Sequence, residues 1–100
     1  MKVKIVKSKL KTKKYTAFFT DEKTNHIKRV HFGASGYRDF TLIKDLKVAK
    51  KAKENYQKRH QHDNIKDYMS PGALSWNLLW GKSRNIKTNI SFFKKKFKLK

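Results

Sequence analysis

Lys14-Tyr15-Thr16-Ala17-Phe18-Phe19-Thr20, Asp21-Glu22-Lys23-Thr24-Asn25-His26, Ile27-Lys28-Arg29-Val30-His31-Phe32: this run decides the fold. Its first and last segments are rich in aromatic and β-branched residues, which fit a pleated, half-buried surface. The middle segment is polar, and its Asp and Asn tolerate turn backbone angles. The pattern predicts a β-hairpin, residues 14–20 pairing with 27–32.

Upstream, residues 2–6 (Lys-Val-Lys-Ile-Val) alternate polar and apolar, which predicts another strand. Lys7 to Lys14 is basic and low in apolar residues, and reads as a connection or a frayed continuation of that strand. Downstream, Gly33, Ser35 and Gly36 break the chain, and Phe40-Thr41-Leu42-Ile43 reads as a short third strand or an extended stretch across the sheet. Asp45 is a candidate N-cap for a helix over 46–61. Within it Val48, Ala49, Ala52 and Tyr56 form a narrow apolar stripe, and Lys47, Lys50, Lys51, Lys53 and Lys58 cover much of the rest. A polar connection spans 62–69.

Ser70-Pro71-Gly72 opens a second helix, because Ser caps and Pro suits the first helical position. Ala73, Leu74, Trp76, Leu78, Leu79 and Trp80 are too dense for one face, so this helix is expected to be buried on most sides, with Gly81 ending it. A third helix is expected over 84–97, capped by Ser83. Its Ile86, Ile90, Phe93 and Phe97 recur at helical steps. The expected class is α+β: an antiparallel hairpin or small three-stranded sheet against two or three helices. One domain is expected over 14–97, with a basic strand or arm over 1–13 and a basic tail over 98–100.

The charge balance bounds the function. Lys and Arg number 27 against 7 Asp and Glu, a formal net charge of +20 over 100 residues. Both halves share it: 14 basic and 4 acidic groups in residues 1–50, 13 and 3 in residues 51–100. A domain with this self-repulsion calls for a polyanion, and nucleic acid is the usual one. Only Arg29, Arg38, Arg59 and Arg84 are arginines. Lysine meets phosphate as a point charge and lacks the fork that reads guanine, which favours backbone contact over sequence readout. With no cysteine, disulfides and cysteine–zinc sites are excluded. No apolar run is long enough to span a membrane, and the N-terminus lacks a signal-peptide core.

The expected phosphate contacts are Lys47, Lys50, Lys51, Lys58 and Arg59 on the first helix, Lys94, Lys95 and Lys96 at the end of the last, Lys11, Lys13 and Lys14 before the hairpin, and Arg38. Residues 31–41 (HFGASGYRDFT) admit two readings. Gly33 and Gly36 could lay backbone N–H groups against a phosphate with Arg38 closing the site. The favoured alternative is a tight turn, with Tyr37 and Phe40 in the core and Asp39 bonded to nearby backbone. Trp76, Trp80, Phe92, Phe93 and Phe97 could stack bases, but their helical spacing favours packing, Phe92 excepted. His60-Gln61-His62-Asp63 lacks the spacing of a strong metal motif, and the carboxylates are dispersed. No cofactor, metal or catalytic site is expected. His31 is expected to be a hydrogen-bonded packing residue.

Lys14–Phe19, the run His31–Thr41, Lys44-Asp45, Tyr56, Arg59-His60, Met69–Ser75 and Leu79–Lys82 together resemble a family of short basic proteins of unknown function from large double-stranded DNA viruses. The likeness spans roughly residues 14–97. Two positions depart: that family often has Pro after Asp45, where Leu46 stands, and Trp soon after Arg59-His60, where Asn64-Ile65 stand. The resemblance implies a virion or an infected cell. Joined to the charge, it leads to an expectation of sequence-tolerant binding of nucleic acid, DNA rather than RNA, in genome packaging or condensation. The rival is a minor capsid or cementing protein whose basic surface binds acidic partners and whose ends, 2–10 and 97–99, order on them.

Overall fold

The computed structural model of the chain describes residues 1–63 and 65–100. Three strands, β1 (Lys2–Lys7), β2 (Lys13–Thr20) and β3 (Ile27–Ala34), form an antiparallel sheet in the order β1-β2-β3. The helices are α1 (Leu46–His60), α2 (Pro71–Leu74), which continues into a wide π-type turn over Ser75–Leu79, and α3 (Ile86–Lys96). The class is α+β, as the sequence predicts.

The hairpin forms in the register Ala17↔Val30 and Phe19↔Lys28, and β1 joins it with Val3↔Phe19 and Ile5↔Ala17. At its turn the Asp21 carboxylate accepts from the Lys23 and Thr24 amides, and Asn25 adopts φ 59°. The third strand is therefore β1, not 40–43. That segment winds into a turn because the Asp39 carbonyl accepts from the amides of Leu42 and Ile43.

The chain ends are part of the same body. Val3 N–H donates to the Lys100 carbonyl (2.9 Å), and Lys100 N–H donates to the Met1 carbonyl (3.0 Å). The return is made at Lys98, φ 54°, and Leu99 packs on the core. Residues 1–13 contribute a paired strand rather than an arm, and 98–100 do not run as a tail. The Met1 ammonium and Lys100 both reach Glu22, whose pKa they lower mainly through hydrogen bonds.

One face of the sheet carries the main core. Val3, Ala17, Phe19, Val30 and Phe32 meet Leu74, Leu78, Leu79 and Phe93. Gly33 allows the close approach: at φ 80°, a Cβ there would lie 2.8 Å from Leu79. A second, smaller cluster of Phe40, Ile43 and Ala49 holds α1, and Trp80 packs against both clusters. Asp45 caps α1 as expected, despite Leu46 in place of Pro. Of the α1 stripe, Ala49 and Tyr56 are buried, whereas Val48 is 56% exposed, because the small second cluster covers only part of the helix. The second departure falls on Asn64, outside the described residues, and on Ile65, which is half-buried.

Ser70 caps α2, with its hydroxyl accepting from the Ala73 amide. The turn after α2 then widens: Trp80 N–H reaches the Ser75 carbonyl, five residues back. Asn85 rather than Ser83 caps α3, accepting from Lys87 and Thr88. Ser83 is held elsewhere. The buried Asn89 accepts from the Ser83 amide (2.9 Å) and donates to the carbonyls of Ser83 (2.7 Å) and Leu78 (3.0 Å). Asn89→Leu leaves these three groups without that partner, and a buried unsatisfied group costs about 1–3 kcal/mol. A stability loss of about 3 kcal/mol is expected in urea unfolding, and a loss below about 1 kcal/mol would mean that water replaces the side chain.

Candidate nucleic-acid interface

α1 stands as a ridge between two clefts. Trp80 lies at the floor of both and stacks on Tyr56 of the helix, with ring centroids 4.6 Å apart and planes 9° apart. Helical periodicity divides the side chains of α1. Lys53 and Gln57 line one cleft, while Asn55, Tyr56, Arg59 and His60 line the other. Lys47, Lys50, Lys51 and Lys58 are exposed along the helix. Lys51 and Lys58 lie 3.9 and 3.3 Å from Glu54, exposed pairs that hold little energy. No carboxylate pairs with Lys47 or Lys50 among the described residues.

The first cleft, about 430 Å³, brings Lys95 and Lys96 of α3 together with Lys53 and Lys82. Among the described residues no carboxylate lines it. Trp76 and Phe92 offer ring faces or edges there, and Phe92 is 47% exposed. Lys53 donates to the Gly81 carbonyl (2.9 Å) and lies over the Phe40 ring. Burial, and then the neighbouring Lys82 charge, lower its pKa. The site therefore holds a positive charge that an anion would stabilise. Lys94 is half-buried, so only its two neighbours reach the cleft.

The second cleft, about 530 Å³, collects Lys13, Arg38, Arg59 and His60. It also contains carboxylates. His60 Nδ1 bonds Asp63 (2.8 Å) and its ring stacks on Tyr56. The Tyr56 hydroxyl is pushed up to about 12 by burial and by Asp63, with Arg59 opposing. Among the described residues no three His, Asp or Glu side chains gather closely enough to hold a metal ion.

Lys14 leaves the set of predicted phosphate contacts. Its ammonium lies 2.7 Å from Asp39, with side chains 13% and 2% exposed, so it neutralises a buried carboxylate. The same carboxylate accepts from the Thr41 amide (2.8 Å) and hydroxyl. Burial, and then the Asp39 charge, raise the pKa of the adjacent Tyr15. Lys11 is exposed in the β1–β2 turn, where its carbonyl accepts from the Ser35 hydroxyl. In the 31–41 run Phe40 is buried as expected, but Tyr37 is 74% exposed, because the Asp39 turn directs the chain inward only after it.

A family described as "Family of unknown function (DUF5754)" matches residues 3–60. The chain belongs to that family. No curated protein and no solved structure matches. The DUF5754 match takes in the sheet, the Asp39 turn and all of α1, so it carries the ridge and the Lys14–Asp39 pair. The apolar helix and the lysines of α3 lie beyond it.

Sequence reasoning placed the α1 lysines and missed Lys53 and Lys82 as cleft residues. Lys53 follows Lys50 by three, the one available signal. Lys82 follows the helix stop at Gly81, and only the path of the chain brings it to Lys53. Removing one member of a buried ion pair costs about 3–5 kcal/mol, so Asp39→Ala is expected to destabilise the fold by that much in urea unfolding. Lys14→Met combined with Asp39→Asn, which keeps an acceptor for Thr41, should recover most of it. A single-variant loss no larger than the roughly 1 kcal/mol of an exposed pair would show the pair to be hydrated.

Proposed function

We propose that this chain binds nucleic acid, double-stranded DNA first, through lysine–phosphate contacts that do not read sequence. The observation that carries this reading is the α1 ridge beside a cleft with four lysines and no carboxylate. A row of ammonium groups along a helix can follow a phosphate backbone, and the release of counterions drives the association. No catalytic step belongs to this reading.

The resemblance to proteins of large double-stranded DNA viruses supports a role in genome packaging or condensation, within a virion or an infected cell. The rival capsid-cementing role draws less support, since the ends it would use as arms bond to one another. No helix among the described residues is long and apolar enough to cross a membrane.

Affinity for a random duplex should fall linearly on a log–log plot against salt. Each lysine–phosphate contact contributes about 0.9 to the slope, so Lys47→Gln with Lys50→Gln should flatten it by up to about 1.8. Lys53→Gln with Lys82→Gln should flatten it likewise, while Lys23→Gln, in the hairpin turn and outside the ridge and its clefts, should not. Binding that ignores salt, or a slope moved by neither pair, would overturn the reading.

A further inference from the structure

The helices cover one face of the sheet and leave the other open. The register gives the open face three cross-strand rows: Lys2–Thr20–Ile27, Lys4–Phe18–Arg29 and Val6–Thr16–His31. Its two half-buried apolar side chains, Val6 and Phe18, belong to neither core cluster. Ile27 is 57% exposed, and Lys2, Lys4 and Arg29 are exposed. The middle row thus sets an aromatic ring on the central strand with a cation on each side. Neighbouring strands lie about 4.8 Å apart, so both cations are within side-chain reach of whatever covers the ring.

Two further features make this a surface for a ligand. No residue of the three rows is a carboxylate, and the two acidic residues of the adjoining turn are engaged: Asp21 with turn amides, Glu22 with the chain ends. The row beside Phe18 is fixed by the Thr16 hydroxyl and His31 Nδ1, 2.7 Å apart. A cationic face with one central ring complements a base with an open π-face between two phosphates. A duplex hides those faces within its stack, whereas an unpaired strand presents them.

We propose that this open sheet face binds single-stranded DNA, Phe18 stacking on an unpaired base and Lys4 and Arg29 meeting the flanking phosphates. The proposal deepens the nucleic-acid reading and rests on it, but it uses a different surface from the α1 ridge. The occupant is DNA rather than RNA because the nucleic-acid reading on which the proposal rests is one of DNA, and the oligo(U) arm of the test decides between the two.

The test compares Phe18→Leu, which keeps apolar bulk, and Phe18→Tyr, which keeps the ring, with the unaltered chain. Binding is measured to oligo(dT), oligo(U) and a random duplex of equal length at one salt concentration, with thermal unfolding run on each variant. Phe18→Leu should weaken oligo(dT) binding about 5- to 100-fold while duplex binding holds, and Phe18→Tyr should bind oligo(dT) as the unaltered chain does. Lys4→Gln with Arg29→Gln should flatten the oligo(dT) salt slope by about 1.4. Unchanged oligo(dT) binding in Phe18→Leu, or equal loss on both ligands, overturns the platform and leaves the duplex reading standing. Tighter binding to oligo(U) than to oligo(dT) overturns the DNA assignment. An unaltered chain that binds none of the three takes both readings down.

Discussion

The buried ion pair between Lys14 and Asp39 fixes where the cationic ridge stands. Two charges taken from water at 2.7 Å hold together only if their remaining valences are met, and the Thr41 amide and hydroxyl meet those of the carboxylate. The Asp39 carbonyl then accepts from Leu42 and Ile43, which winds the chain so that Phe40 and Ile43 face Ala49 of α1. From the other side the Arg84 guanidinium donates to the carbonyls of Ile43 and Lys44. The strand, the turn and the loop before α3 thus converge on one short segment, and α1 begins where it ends. The Tyr56–Trp80 stack fixes the far end of the helix.

That constraint explains how so basic a chain remains folded without hiding its charge. Each of the seven carboxylates has a task. Asp21 and Asp67 close turns, Asp45 caps α1, and Glu22 gathers the two termini. Asp39 is buried with Lys14, and Asp63 holds His60. Only Glu54 lies among the lysines of α1. Acidic groups are used where geometry needs an acceptor and are nearly absent where they would neutralise the surface. The field of the other ammonium groups is therefore left unneutralised by the chain's own carboxylates, and self-repulsion of this kind destabilises a compact state.

Local chemistry was legible in the sequence, and long-range pairing was not. The hairpin follows from period-two alternation around a polar turn, and the caps at Asp45 and Ser70 from side-chain acceptors beside helical patterns. Ser83 misleads because Asn89, six residues away, holds its backbone and leaves the cap to Asn85. Lys14 reads as a surface cation because its partner lies 25 residues downstream. The winding of residues 40–43 was equally hidden. Nothing in residues 40–43 shows that Asp39 will wind them, whereas the alternation of residues 2–6 did mark β1. At the candidate site, the lysines of α1 follow from spacing alone. The clefts depend on how the apolar helix and α3 run beside α1, a matter of packing.

The adjacent Phe18 and Phe19 held a signal that composition conceals. In a strand with one buried face, consecutive residues point to opposite sides, so the pair cannot both enter the core. Phe19 does, at 1% exposure, and the register leaves Phe18 among cations on the uncovered side. On the proposed reading, helix and sheet then offer different geometries to the same polyanion. Ammonium groups along α1 diverge from a cylinder and suit a backbone that curves past it. Side chains on the sheet stand in parallel rows and suit a flat ring laid across them. The two surfaces share a charge but not a shape, and shape separates a paired strand from an unpaired one.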